Sequence, residues 1–262
     1  MKVVLFCGGQ GLRLADGANA IPKPMALIGT RPILWHVMKY YAHYGHKEFI
    51  LCLGHKSGAI KDYFLHYSEA VSNDFVLSGG GRDLEFLNQD ISDWRITFVE
   101  TGLHSTIGQR LRAVRSHLDG EEVFLANYSD GLTDLHLPSL IEEFVAGPCV
   151  GAVVCVRPPL SYHAVEVGKG KRVTSVRPFT EAGPLINGGF FVLRRSVFDY
   201  YKDGEDLVVH AFPRLVEKRL LLGHEHQGYW ASMDTFKDKQ ALEEIYSRGE
   251  APWEVWRRGP RG

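Results

Sequence analysis

Val3-Val4-Leu5-Phe6-Cys7-Gly8-Gly9-Gln10-Gly11-Leu12-Arg13-Leu14, followed after a short interval by Pro22-Lys23-Pro24-Met25, decides how the rest of the chain is read. An apolar run that stops at glycines is a buried strand delivering the chain into a loop of bare backbone. Gly8, Gly9 and Gly11 let amide N–H groups approach an anion without interference from Cβ atoms, as in a phosphate-binding nest. Arg13 offers a planar fork of donors and Lys23 a compact point charge, and polyphosphates attract both. Pro22 and Pro24 restrict the backbone on either side of Lys23. The stretch reads as a nucleoside triphosphate cradle. A Walker A loop is excluded, because no Gly-Lys-Ser/Thr ends it. A dinucleotide fingerprint would need a third glycine where Leu14 stands, then a second strand carrying an acidic residue, and residues 17–25 hold no such strand. On the loop alone, a ligand-free glycine turn stays open.

Composition bounds the rest. With 262 residues, 45% hydrophobic and 23% charged, the chain can bury a full core as one large domain or two small ones. A net charge of −1 provides no general basic field, so neither nucleic acid nor an anionic membrane is an expected partner. Anion binding must then be local. No apolar run approaches the ~20 residues of a membrane span, and Met1-Lys2 enters a strand directly rather than a signal peptide. Cys7, Cys52, Cys149 and Cys155 sit singly in strand-like runs with no CxxC pair. They read as reduced, buried packing thiols of a cytoplasmic protein. His224-Glu225-His226 alternates as a half-exposed strand would, with metal binding as the alternative.

Periodicity carries the reading along the chain. Pro32 to Tyr44 has helical spacing, Phe49-Ile50-Leu51-Cys52-Leu53 is a continuous apolar strand, and Ala59 to Tyr67 is a second amphipathic helix. This β–α–β–α order implies a parallel sheet with ligands outside the strands' carboxyl ends. Phe75 to Leu87, around three glycines, predicts a hairpin excursion; Trp94 to Glu100 resumes the sheet, and a helix follows from about Gln109 to His117. Val123-Phe124-Leu125-Ala126 is another buried strand running into Asn127-Tyr128-Ser129-Asp130-Gly131, where Asp130 is either a chemical group or part of a turn. Beyond it come a helix at Leu137–Val145, a strand at Val150–Val156, a ribbon across Tyr162–Val176 and a strand at Leu185–Leu193. A helix at Leu207–Lys218, a strand at Leu220–His226 and a last helix at Phe236–Tyr246 complete the chain. Asp234 either caps that last helix or serves a site. The expected fold class is α/β: a Rossmann-like, mostly parallel central sheet flanked by helices, with a small β-ribbon. It forms a single domain over residues 1–262, with a nucleotide-binding part at about 1–147, an acceptor part at about 148–235, and a helix and tail at 236–262.

In this order the motifs resemble the sugar-1-phosphate nucleotidyltransferases, and most of all their glucose-1-phosphate cytidylyltransferase branch. The likeness runs through Gly-Gly-x-Gly-x-Arg-Leu (8–14), Pro-Lys-Pro-Met (22–25), the segment 31–39, Gly54-x-Lys56 and Thr101-Gly102. It continues through Gly108-x-Arg110-Leu111, Tyr128-x-Asp130-Gly131, the segment 186–193 and Trp230-x-x-Met-Asp-Thr235 to the tail at Ala251-Pro252-Trp253. The resemblance implies Mg²⁺-dependent transfer of a cytidylyl group from CTP to glucose 1-phosphate or an altered acceptor, with release of pyrophosphate. It assigns Arg13, Lys23 and Asp130 to catalysis, and Asp130 with Asp234 to one Mg²⁺. Phe6, Gly8, Gly9, Gln10, Gly11, Arg13, Lys23, Thr101, Gly102, Gly108, Arg110 and Ser129 would bind the nucleotide. Tyr128, His163, Arg177, Asn187 and Gly188 would line the acceptor. A homo-oligomer is expected, with the tail packing either between subunits or on its own core.

The departures from the family pattern fall mostly on the acceptor side. Leu12 stands where a threonine hydroxyl would reach phosphate, Val176-Arg177-Pro178 replaces Glu-Lys-Pro, His163 takes a glycine's place and so does Ser129. They point either to a changed acceptor or to a non-catalytic sugar-nucleotide-binding subunit on the same fold.

Overall fold

The computed structural model describes residues 1–9, 21–159 and 162–257. Its centre is a seven-stranded sheet. In chain order the strands are β1 (Val3–Phe6), β2 (Glu48–Leu53), β3 (Arg95–Glu100), β4 (Val123–Asn127), β5 (Gly151–Val156), β6 (Ile186–Arg194) and β7 (Leu221–His226). Across the sheet they run β7-β5-β6-β4-β1-β2-β3. Adjacent pairs are parallel except at β6, which lies antiparallel to both β5 and β4. The mostly parallel, helix-flanked sheet is the α/β class that the β–α–β–α order predicts.

β1 lies centrally because all four of its side chains are buried, the property of a strand covered on both faces. Val3 and Leu5 face one apolar cluster, with Ile33, Leu34, Val37 and Trp253. Val4 and Phe6 face the other, with Leu111, Phe198 and Phe212. Helix α1 (Ile33–His43) covers the first face, following Pro32, whose fixed φ suits a helix entry. Helix α2 (Ser57–Leu65) starts two residues earlier than its apolar spacing suggests, directly after Lys56 in a left-handed conformation. Helix α3 (Ile107–Ala113) likewise starts ahead of the expected Gln109, because Thr106 and Gln109 form a capping box. It gives way to a 3-10 turn at Arg115–Leu118. Helix α4 spans Leu137–Ala146. The expected helix at Leu207–Lys218 is a π turn, Leu207–Ala211, joined to α5, Phe212–Glu217. Helix α6 is Phe236–Ser247.

Two ribbons stand apart from the sheet. Phe75–Ser78 pairs with Asp83–Phe86, and His163–Val167 with Val173–Pro178. A third short pair, Gly131–Thr133 with Trp230–Ser232, escaped the periodicity reading because three residues are too few to show alternation. No helix among the described residues is long and apolar enough to cross a membrane. All four cysteines are unpaired; Cys7 and Cys52 are buried, whereas Cys149 and Cys155 are only partly so. His224 pairs with Glu143 and His226 with Asp134, two different carboxylates, and no group of three potential metal ligands occurs among the described residues.

The aromatic tail packs on its own subunit. Trp253 is 1% exposed, and its indole N–H points at His36 Nδ1 at 3.4 Å. On the other side of the ring, His36 Nε2 donates to the Ile28 carbonyl at 3.1 Å, so the imidazole is the neutral Nε2–H tautomer. Burial holds the His36 pKa down at about 4. A group neutral in the fold but chargeable in the unfolded chain costs stability as it protonates. His36 therefore stabilises the fold in full above its unfolded value near 6.5, and the contribution fades as pH falls toward about 4. The loss amounts to about 3 kcal/mol over that window. Urea denaturation at pH 7 and pH 4.5 will show a markedly smaller acid loss in His36→Gln than in the native chain. Equal losses in the two proteins would refute this role.

Candidate active site

Three strand ends meet where β1 stops. β1 continues into Cys7-Gly8-Gly9, β2 into Gly54, and β3 into Thr101-Gly102. Arg110 of α3 reaches beneath them, 3% exposed. Its guanidinium donates to the Leu53 carbonyl at 3.0 Å, the Gly8 carbonyl at 2.9 Å and the Thr101 hydroxyl at 2.7 Å. Thr101 Oγ1 in turn donates to the Leu53 carbonyl at 2.7 Å. Gly8 has to be glycine here, since a Cβ would lie 2.0 Å from the Arg110 guanidinium. Among the described residues, nothing lies within 4 Å of a Cβ placed on Gly9. Arg110 and Thr101, which the resemblance assigns to nucleotide binding, tie β1, β2 and β3 together at their carboxyl ends. Gly108 serves packing as well: its missing Cβ would lie 2.3 Å from the Glu205 carbonyl.

β4 ends one strand away. Asn127 Oδ1 accepts from the Ser129 amide at 2.8 Å, and Asn127 Nδ2 donates to the Tyr41 hydroxyl. Ser129 then takes a left-handed conformation, φ +66°, unusual for a residue with a Cβ. Its hydroxyl donates to the Phe6 carbonyl at 2.9 Å, which stitches the β4 turn to the end of β1. The turn throws Asp130 into the space above β1.

Asp234 arrives from a distant part of the chain. The Gly131–Thr133 and Trp230–Ser232 ribbon carries it there, and Met233 N donates to the Asp130 carbonyl at 3.1 Å. The capping reading of Asp234 is corrected here. Thr235 is the N-cap of α6, and Asp238 completes a capping box, accepting from the amides of Asp234 and Thr235. The Asp234 side chain is directed elsewhere. Its Oδ2 accepts from the Ser232 hydroxyl at 2.8 Å, and its Oδ1 lies 2.8 Å from Lys23 Nζ.

Lys23 closes the arrangement. Its ammonium also lies 2.5 Å from Asp130 Oδ2, so two carboxylates far apart in sequence converge on one cation. Lys23 opens a 3-10 turn between Pro22 and the buried pair Pro24-Met25. Burial pulls the Lys23 pKa down, but Asp130 and Asp234 outweigh it and hold the net value above that of an ordinary lysine. Burial raises the Asp130 pKa; Lys23 opposes the rise, and the net value stays above the usual carboxylate range.

The antiparallel β6 presents its amino end against Tyr128. Asn187 Nδ2 donates to the Tyr128 hydroxyl at 3.0 Å, and burial pushes that phenol up to about 12, so it keeps its proton. Trp230 Nε1 donates to the Gly188 carbonyl at 2.8 Å. His163 and Arg177 are exposed on the 163–178 ribbon, where Arg177 pairs with Glu166 at 2.7 Å. Gln10, Gly11, Leu12 and Arg13 lie outside the described residues. Ser232 and Trp230 are the contributors sequence reasoning missed; a hydroxyl two residues before an aspartate was the available signal for Ser232.

Residues 2–239 match the family described as nucleotidyl transferase. The chain is 37% identical over 261 residues to glucose-1-phosphate cytidylyltransferase of Salmonella typhimurium, a match covering 98% of this chain and all of that protein. It is 37% identical over 258 residues to the probable glucose-1-phosphate cytidylyltransferase of Bacillus subtilis, again covering 98% of this chain and all of that one. Among solved structures, HddC from Yersinia pseudotuberculosis complexed with GMP-PN superposes with a TM-score of 0.66 at 18% identity. That superposition covers 94% of this chain and 99% of the other, and it shows a shared fold.

Replacing Arg110 by Met removes the donor that the Gly8 and Leu53 carbonyls share and leaves buried acceptors under-satisfied. The expected cost is about 2–4 kcal/mol, read as a lower midpoint in urea denaturation. A stability loss below about 0.5 kcal/mol would show that the clamp does not hold the strand ends.

Proposed function

The chain belongs to the nucleotidyl transferase family and is a nucleotidyltransferase enzyme, and from that premise we propose that it transfers the cytidylyl group of CTP to a sugar 1-phosphate. Glucose 1-phosphate is the first candidate acceptor, because the full-length relatives named above carry that activity in their names. The observation that carries the reading is the bridging of Asp130 and Asp234 by Lys23 beside the glycine-bordered end of β1.

In the reaction, an oxygen of the sugar phosphate attacks the α-phosphorus of CTP in line. A new P–O bond forms, the α–β anhydride bond breaks, and its electron pair leaves with pyrophosphate. Such a transfer requires positioning and neutralisation of charge more than covalent chemistry from the protein. Gly8 and Gly9 supply backbone that a phosphate chain can approach closely. Lys23 is a mobile point charge within reach of the reacting phosphates and can accompany charge as it moves. Arg13, on the same loop by sequence, is assigned to the departing pyrophosphate. Tyr128, Asn187 and Gly188 form a hydrogen-bonding wall for the acceptor beside Asp130, with Arg177 and His163 on the neighbouring ribbon as candidates for its phosphate and ring.

The donor set also suits a divalent cation. Two carboxylates, with substrate phosphates completing the shell, is the manner in which Mg²⁺ is commonly held, and here Asp130 and Asp234 already share a cation between them. Bound there, Mg²⁺ would supply Lewis-acid stabilisation of phosphate charge. Ser232 fixes one oxygen of Asp234 and thereby orients the other.

Incubation with Mg²⁺, each of the four NTPs and a panel of sugar 1-phosphates, following pyrophosphate, tests the assignment. CTP with at least one sugar 1-phosphate should release pyrophosphate and give a CDP-sugar by mass spectrometry. Asp130→Asn and Asp234→Asn should lower kcat by about two to three orders, the scale of one lost transition-state contact. Nucleotide binding without pyrophosphate from any pair would favour the sugar-nucleotide-binding subunit instead.

A further inference from the structure

We propose that Lys23 is the resident cation of this site: it occupies the place between Asp130 and Asp234 until a nucleoside triphosphate draws it away, so that a divalent metal binds with the nucleotide and not before it. The proposal rests on the nucleotidyl-transfer reading above and adds an order of assembly to it.

The geometry makes the competition direct. Lys23 Nζ lies 2.5 Å from Asp130 Oδ2 and 2.8 Å from Asp234 Oδ1. With Asp234 Oδ2 engaged by Ser232, a divalent ion held by the same two residues is drawn to Asp234 Oδ1, an oxygen that Lys23 already holds. Ammonium and metal cannot share it at contact distance, because two cations so close repel strongly in a partly buried setting, and the Lys23 side chain is only 17% exposed.

What releases Lys23 follows from how it is held. Pro22 and Pro24 fix its backbone, but the four-carbon stem can swing its ammonium between acceptors. A triphosphate entering over Gly8 and Gly9 brings several negative charges and many oxygens, a stronger claim on an ammonium than two carboxylates that are also being offered a metal. Once Lys23 leaves, Asp234 stays aimed, because Ser232 Oγ holds Oδ2 at 2.8 Å and Asp238 holds the Asp234 amide at 3.0 Å. The Ser129 stitch to Phe6 holds the backbone that presents Asp130, and the lysine is the moving part.

Two measurements on the full chain, both independent of turnover, test this. Calorimetry with Mn²⁺ alone, without nucleotide, should show weak binding to the native protein and binding tighter by about tenfold or more in Lys23→Met and in Lys23→Gln, the second variant guarding against a fold lost through unpaired charge. The gain should vanish in Lys23→Gln combined with Asp130→Asn. In native protein labelled with ¹⁵N at lysine Nζ, Mg²⁺ alone should leave the Lys23 ammonium resonance in place, and Mg²⁺ with CTP should shift it. Native and Lys23 variants binding Mn²⁺ equally, or Mg²⁺ alone shifting the resonance as far as Mg²⁺ with CTP, would overturn the proposal while pyrophosphate release in the transfer assay stands. Absence of pyrophosphate would instead remove the transfer reading itself.

Discussion

One ammonium held between two carboxylates is the constraint that the architecture serves. Lys23 comes from the first loop, Asp130 from the end of β4, and Asp234 from the approach to α6. Each is pinned by a different local device: prolines flank the lysine, a left-handed serine stitched to β1 presents the first aspartate, and a hydroxyl with a helix cap presents the second. Partly buried charges require partners, because desolvation otherwise costs several kcal/mol. Here a single ammonium serves two carboxylates that reach it from distant parts of the chain.

The sheet brings the three together through the direction of its strands. β1, β2, β3 and β4 run parallel and release their chain at one edge, so glycine loop, Thr101 and Asp130 share that edge without long-range design. β6 runs the other way between β4 and β5. Its reversal brings an amino end to the same edge, and Asn187 and Gly188 therefore face Tyr128 and Trp230 instead of lying on the far side of the molecule. Arg110 holds the first three strand ends to one another.

Where a signal was local, it was legible in the chain. Continuous apolar runs marked the strands, and the glycine loop and Asp130 fell at strand ends as a parallel sheet requires. Signals depending on partners from elsewhere were harder to read. Nothing near Arg110 in sequence announces three carbonyl or hydroxyl partners on three strands, so its part in tying the strand ends together is legible only in the fold. The capping box at Thr106-x-x-Gln109 is present in the letters, and it starts the helix at Ile107, ahead of the expected Gln109. Asp234 shows the reverse case: cap chemistry was available at Thr235, one residue on, which freed the aspartate for the site.

The same bridge also bears on how a polyanion can approach this edge of the sheet at all. On the transfer proposed above, two bare carboxylates beside Gly8 and Gly9 would repel an incoming triphosphate, and a solvent-separated metal would only partly mask them. An ammonium already seated between them lowers that repulsion before any other cation arrives, and it sits on a stem long enough to follow the phosphates afterwards. Arginine would be a poorer choice for this task, since its rigid fork favours staying with a carboxylate. On the proposed reading, a lysine restricted at its backbone and able to swing its tip reconciles a carboxylate pair with an anionic substrate in one pocket.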